Sequence, residues 1–181
     1  DINLDFKDII DIFTNSLKIE NSVKSINSIF LNNRFSSKVD YKPYFQRNYV
    51  WDDVKATYFI ESILLGTEIP PLVLFQTRGM NEVIDGRQRY ETIDKFINDR
   101  LTLNENGLKN LKIIAGKKFS QLDERTQDDF ENTKLRILQC SVVNEPSLSE
   151  DKEDKIKKEI FRRYNSGIIP LHKEEIERGE Y

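Results

Sequence analysis

The stretch Asn81 to Thr92, N-E-V-I-D-G-R-Q-R-Y-E-T, constrains this chain more than any other. Glu82-Val83-Ile84 reads as a short strand and the residues from Arg87 read as a helix, so strand must give way to helix across Asp85-Gly86. Gly86 frees the backbone at that turn. The first amides of a helix have no acceptors inside it, which makes the corner suited to an anion. Arg87, Gln88 and Arg89 then place two cations and an amide in the first turn, where the helix dipole alone would favour acids. Such residues point to a bound anion or to a neighbouring carboxylate such as Asp85. As a bare pattern, D-G-x-x-R would arise by chance in roughly a few per cent of chains this long. Its context has to carry the argument.

At the helical period, Tyr90, Ile93, Phe96 and Ile97 form an apolar face with Arg89 at its inner edge, while Arg87, Glu91 and Asp94 point away. Arg89 is therefore expected to be partly buried and Arg87 to face outward. A buried guanidinium has to be paired, because an uncompensated one is very costly. Its partner is Asp85, another acid or a ligand phosphate, and the spacing does not choose among them.

The rest of the chain supplies the frame. Phe6, Ile9, Ile10, Phe13 and Leu17 predict an opening helix, and Val23, Ile26, Ile29 and Phe30 a second one capped at Asn21 or Ser22. From Val39 to Arg47 apolar and polar groups alternate, and Pro43 confines that extended segment to an edge or a strand end. Tyr41, Tyr44, Phe45, Tyr49 and Trp51 make an aromatic cluster that is either a core wedge or a platform near a ligand. Asp52 or Asp53 caps a helix through Leu65 that Gly66 ends. Pro70-Pro71 leads into the buried strand Leu72 to Phe75, which pairs with Glu82 to Ile84 as a hairpin. Leu101 to Ile114 reads as strand or loop with little regular helix. Ser120 to Asp123 reads as the capped start of a helix to about Phe130. Lys134 to Val143 is a central strand in which Cys140 fills the core. Glu150 to Arg163 is a solvated helix, with charge pairs Asp151/Lys155, Asp154/Lys158 and Glu159/Arg163 and a buried stripe of Ile156, Ile160 and Phe161. Asn165-Ser166-Gly167 stops it, and a final helix starts near His172.

Bulk properties narrow the chemistry. The 181 residues fit one domain with a core of its own. Charged residues make up 33%, yet the net charge is only -3, so no global electrostatic reason to bind nucleic acid exists. One cysteine, Cys140, excludes an internal disulfide and points to a cytoplasmic setting. No apolar run approaches the roughly 18 residues of a membrane span, so no membrane partner is expected. His172 and Cys140 alone cannot build a His/Cys metal site. Chemistry has to come from carboxylates, amides, hydroxyls and arginines. The charged end of the sequence reads as a break within a longer protein.

Four segments in order say more than any one of them: Pro43-Tyr44-Phe45-Gln46-Arg47-Asn48-Tyr49-Val50-Trp51, Ile69-Pro70-Pro71-Leu72, Val83-Ile84-Asp85-Gly86-Arg87-Gln88-Arg89, and Ile160-Phe161-Arg162-Arg163-Tyr164-Asn165-Ser166-Gly167 followed by Pro170-Leu171 and Glu175. Together they resemble the DGQQR-motif domain of GmrSD-type restriction proteins and their anti-phage relatives, a branch of the ParB/sulfiredoxin-like superfamily. The resemblance covers about residues 22–178, leaving residues 1–21 as an N-terminal helical lead. It implies a small α+β domain, with a mixed or antiparallel ParB/sulfiredoxin-like sheet flanked by several helices, in the N-terminal part of a longer protein. It further implies a nucleoside triphosphate with Mg²⁺ at the corner, whose hydrolysis regulates attack on DNA by a C-terminal effector domain or partner subunit. By motif, Asp85 and Gln88 would be catalytic, Asp85 would also be the metal ligand, and Gln46, Arg47, Gly86, Arg87, Arg89 and Asn165 would bind the nucleotide. One carboxylate can hardly be both primary metal ligand and general base. The family has Gln where this chain has Arg87. The rival from another class is a non-catalytic DNA- or protein-sensing module in which Asp85 and Arg89 form only a structural lock.

Overall fold

The computed structural model describes residues 10–32, 38–40, 49–77, 79–143 and 149–165; at Asp40, Tyr164 and Asn165 it describes the backbone only. Its centre is a mixed sheet of β1 (Leu17–Ser25), β2 (Val39–Asp40), β3 (Leu72–Thr77), β4 (Met80–Asp85) and β5 (Lys134–Val142), in the order β1-β5-β3-β4-β2. β1 runs antiparallel to β5, β5 parallel to β3, β3 antiparallel to β4 and β4 parallel to β2. The helices are α1 (Asp53–Leu64), α2 (Arg87–Ile97), α3 (Glu124–Glu131) and α4 (Glu150–Asn165). This is the α+β architecture that the resemblance implies.

Both faces of the central strands are covered, which explains the unbroken apolar run in β3. Leu72 and Leu74 belong to a large core with Val83, Ile137 and the inner sides of α1, α2 and α3, whereas Val73 and Phe75 face a smaller one with Ile84, Cys140, Ile156 and Ile160. A strand buried on both faces reads as continuous hydrophobicity instead of alternation. In the larger core, Phe96, Phe119 and Phe130 meet edge-on or tilted at 5.3–5.6 Å. Those separations lie in the favourable range for ring quadrupoles.

Helix ends follow their caps. Asp52 Oδ1 accepts the amide of Lys55 at 2.8 Å to start α1, and Gly66, at φ 76°, follows its last turn. Asp123 does the same for α3 through the amide of Thr126. The start expected at Ser120 is therefore moved to Asp123; Phe119–Gln121 is a short 3-10 turn.

The N-terminal region departs most from the sequence reading. Of the helix expected to run to Leu17, the described residues 10–16 are helical, ending in a π-helical stretch, Ile12–Ser16, while Leu17 already belongs to β1; residues 1–9 lie outside those described. The second helix, expected from Asn21 or Ser22, is overturned, because Leu17–Ser25 is a strand, followed by a π-helical turn, Asn27–Leu31. Ile26, Ile29 and Phe30 are buried as the helical spacing required, yet Val23 is 61% exposed. A ladder of backbone bonds to β5 decides the outcome, since a short amphipathic segment gains more from pairing with a strand than from an isolated turn of helix.

Residues 99–122 are irregular but tied down. Leu101, Leu103 and Leu108 are buried. Glu61, only 1% exposed on α1, accepts the amides of Lys109, Asn110 and Leu111 at 2.9–3.1 Å. Burial by itself would raise its pKa; the amides reverse that and hold the carboxyl below its usual value. Thr57 Oγ1 accepts the amide of Asn104 at 2.9 Å. Gly107 passes so close to α1 that a Cβ there would run into the carbonyl oxygen of Val54.

On α4, the expected pairs Asp154/Lys158 and Glu159/Arg163 form at 3.1 and 3.3 Å, and Ile156 and Ile160 are buried. Unexpected is Lys157, 8% exposed, with its ammonium 2.9 Å from Glu82 on β4 and 3.5 Å from Glu153. Cys140 is core filler as expected, and burial pushes its thiol up to about 12. Among the described residues, no helix is long and apolar enough to cross a membrane.

Candidate functional site

β4 delivers the corner. Its last residue, Asp85, pairs with Val73 beside an irregularity in the register of β3, and Gly86 takes φ 102°, ψ 14° before α2 begins. That left-handed conformation is costly for a side-chain-bearing residue. Space is short as well: a Cβ on Gly86 would lie 3.1 Å from Arg89 Nη2 and 3.1 Å from Leu72 Cδ1. The backbone conformation therefore favours glycine here, and a Cβ would in addition push Arg89 and Leu72 aside by a few tenths of an ångström.

Arg89 turns back over this glycine. Its Nη2 lies 3.6 Å from Asp85 Oδ2 and donates to the carbonyl of Pro71 at 3.2 Å, with the side chain 21% accessible. The expected partial burial and the pairing with Asp85 are both present. The pair is not sealed in. Gly86, Arg89 and Tyr90 line a small, partly open cleft, whose other walls include Phe30, Phe59, Pro70, Leu72 and Ile93, with Leu135 and Arg136 on β5. Arg136 is largely exposed and pairs with Glu68 at 3.2 Å. Sequence reasoning missed Arg136, which sits in a central strand far from the motif; only the register of β5 against β3 brings it to the cleft. It likewise missed Phe30, which meets the ring of Tyr90 at a centroid distance of 4.6 Å.

Arg87 corrects an expectation. Placed on the solvent side of α2, it is instead 6% exposed, with Nε 3.2 Å from Glu91 Oε2, and Glu91 is buried too. The helical wheel placed Arg87 and Glu91 opposite the apolar face of α2, yet both are buried there as an ion pair. Tyr49 Oη lies 2.9 Å from Thr92 Oγ1, and the Lys95 ammonium lies 3.7 Å from the centre of the Tyr49 ring. Burial raises the pKa of the Tyr49 hydroxyl, and the carboxylates of Glu91, Asp53 and Asp52 add to this against the Thr92 hydrogen bond. Arg87 is thus an interior residue of the corner and not a solvent-facing cation.

Gln88 points to the same segment. Its Oε1 accepts the amides of Val50 at 2.9 Å and of Trp51 at 3.3 Å. Trp51 packs edge-on against Phe59 on α1 at 5.4 Å, with Lys55 5.2 Å from the centre of its ring. Of the aromatic cluster, Tyr49 and Trp51 are both half-buried. Tyr41, Tyr44 and Phe45 lie outside the described residues, as do Gln46, Arg47 and His172; Asn165 ends α4, its side chain outside the description.

The arrangement therefore joins one carboxylate, one partly accessible guanidinium and a helix N-terminus at the mouth of an apolar cleft. Among the described residues, no three His, Cys, Asp or Glu side chains come together in a way that could hold a metal ion. A magnesium ion needs no such cluster, because one or two carboxylates plus substrate phosphates suffice. Asp85 fits that requirement only together with a phosphorylated ligand. Residues 26–181 match the family model of the GmrSD restriction endonuclease, N-terminal domain. No curated protein and no solved structure matches the chain.

Proposed function

For a chain that belongs to the family of GmrSD restriction endonuclease N-terminal domains, we propose that the Asp85-Gly86-Arg89 corner binds a magnesium nucleoside triphosphate and hydrolyses it as a regulatory step in an anti-phage restriction protein. One observation carries this reading: the Arg89 guanidinium, paired to Asp85, stands at the lip of an apolar cleft directly over the start of α2. A triphosphate needs cations and helix-end amides, and a base needs an apolar slot. Phe30, Phe59 and Tyr90 supply aromatic surface in that slot.

In this reading Arg89 donates to phosphate oxygens by charge-assisted hydrogen bonds. Gly86, having no Cβ, lets the Arg89 guanidinium fold back over the turn toward the ligand. Asp85 holds the magnesium or orients the attacking water; Gln46, Arg47 and Asn165 complete the contact set by resemblance. When bound, Mg²⁺ would offset phosphate charge in the transition state. Arg87 contributes from within, by fixing Glu91 and the first turn of α2.

The test is a thermal-shift screen of ATP, GTP, CTP and UTP with Mg²⁺. A ligand at 100 times its Kd adds about 2.7 kcal/mol of stability, a shift of several degrees for a domain of this size. Absence of a shift with all four, at millimolar ligand, would sink the proposal.

The rival reading, a non-catalytic DNA- or protein-sensing module, draws on the bond from Arg89 to Pro71 O, which is what a purely structural lock would also use. It is distinguished by a wild-type protein that binds DNA with steep salt dependence and no nucleotide.

A further inference from the structure

The net charge of -3 hides an uneven distribution. Residues 100–118 hold five cations, Arg100, Lys109, Lys112, Lys117 and Lys118, against the single acid Glu105. Arg100 is matched by Asp94 at 2.8 Å, and Lys158 and Arg163 on α4 have carboxylates of their own. The four lysines are exposed and, among the described residues, none of them forms an ion pair with a carboxylate. The acids within electrostatic reach of them are engaged with backbone amides. Glu61 accepts those of residues 109–111, Asp99 that of Ser120 at 2.9 Å, and Asp123 caps α3. Two of the ammoniums are held side by side: Lys109 Nζ donates to Asn106 O and Lys112 Nζ to Glu105 O, each at 2.9 Å. An ammonium has three donors, so each keeps two for an outside acceptor. Leu103 N donates to Lys117 O at 2.9 Å and Gly116 N to Leu103 O at 2.8 Å, which brings Lys117 next to that same turn. Beside the lysines, Ile113 on the 3-10 turn Lys112–Ile114 is 86% exposed.

We infer that the exposed side of residues 104–118 is a docking surface for duplex DNA, with Lys109, Lys112, Lys117 and Lys118 on phosphates and Ile113 against sugar or base surface. Cations without acidic partners gain most from a polyanion, since each phosphate they neutralise releases a condensed counterion. Lysines anchored on an ordered backbone also lose less freedom on binding than lysines on loose chain. A single apolar side chain is too little to hold a lipid surface, where buried apolar area has to add to charge. An aliphatic group among phosphate contacts suits a DNA groove. In a family of restriction endonuclease domains, DNA is the polyanion at hand. Among the described residues, the walls of the cleft at the corner include no part of this loop, so the surface is separate from the nucleotide reading and does not rest on it.

The test is fluorescence anisotropy of a labelled DNA duplex across a salt titration, without magnesium or nucleotide. Wild type is compared with Lys109→Gln plus Lys112→Gln, Lys117→Gln plus Lys118→Gln, all four together, and Ile113→Ser. The control is Lys158→Gln plus Arg163→Gln, which removes two paired cations from α4. The loop lysines are exposed, so melting temperatures stay near wild type. Each loop pair removed is expected to weaken binding at low salt by roughly tenfold and to lower the slope of log K against log salt by about two, one per lysine. Ile113→Ser weakens binding with the slope unchanged, and the control pair binds as wild type does. The proposal is overturned if wild type does not bind the duplex at low salt, or if the fourfold variant binds as tightly as wild type. A control that loses as much as either loop pair also overturns it, because the attraction then belongs to the whole surface. Phosphatidylserine vesicles form the parallel arm: lysine-dependent binding to them, with none to the duplex, overturns DNA in favour of a membrane surface. A silent Ile113→Ser removes that residue from the surface and overturns the groove contact. The thermal-shift screen of nucleotides decides the corner separately, whichever way the duplex titration falls.

Discussion

The Nη2 of Arg89 lies 3.6 Å from Asp85 Oδ2, and the two residues flank a turn whose glycine takes a left-handed φ of 102° that a side chain would strain. Because both side chains keep roughly a quarter of their surface in contact with solvent, the ion pair is worth little to the fold itself. Arg89→Ala is therefore expected to cost no more than about 1 kcal/mol in urea unfolding while removing the nucleotide-induced thermal shift. A loss of about 3 kcal/mol or more would place Arg89 among buried locks. Paired urea titrations and thermal shifts on the same preparations separate the two roles.

Gly86→Ala meets both a left-handed φ of 102° and two contacts at 3.1 Å. The strain is expected to cost about 1–3 kcal/mol and to displace the Arg89 guanidinium. Denaturant unfolding with unchanged slope m, together with weakened nucleotide binding, would report both effects.

Glu61 gives the clearest dependence on pH. Its folded pKa lies below the unfolded value because three loop amides favour the charged form over the opposing cost of burial. The stability it contributes is complete above the unfolded pKa of about 4.3 and is lost as pH falls through the folded value. Melting temperature is expected to drop on acidification below about pH 5 more steeply in wild type than in Glu61→Gln. At neutral pH Glu61→Ala, which strands the amides of residues 109–111, should cost at least about 2 kcal/mol.

Lys157 balances two carboxylates against the sheet. Removing it alone, as in Lys157→Ala, leaves Glu82 and Glu153 without their cation and is expected to cost about 3–5 kcal/mol. Joint replacement by apolar residues, Lys157→Met with Glu82→Met, should recover the part of that loss that belongs to Glu82, Glu153 still lacking its cation. A double-mutant cycle by calorimetry checks this, and a Lys157→Ala cost under about 1 kcal/mol would mean that the network is electrostatically idle.

How far the sequence revealed this molecule depended on whether a signal was local. The Asp52 cap, the four-residue run of β3, the turn at Gly86 and the apolar side of α2 are all local, and each was legible. β1 was misread because its apolar residues also fit a helical spacing; what makes it a strand is a partner more than a hundred residues later. Arg87 departs from its helical-wheel position for a similar reason, since the wheel reads one helix alone and cannot tell that the side carrying Arg87 and Glu91 is buried in the fold. The corner residues Asp85, Gly86 and Arg89 could be named from the motif. The cleft beside them could not, because its walls come from a π-helical turn, α1, α2 and β5. The buried charges of Glu61 and Lys157 were likewise invisible, as each depends on partners supplied by distant chain.

The pairing of Leu17 with Val142 has a consequence for how the chain matures as it is synthesised. β3, β4 and α2 are neighbours in sequence and can assemble soon after they emerge from the ribosome, whereas β1 must wait, its backbone groups unclaimed, until β5 has been made. Contacts that close so long a loop are paid for late in the folding reaction. Mutations at Ile19 should therefore act on the unfolding rate and those at Val83 on the folding rate, a contrast that chevron analysis can read.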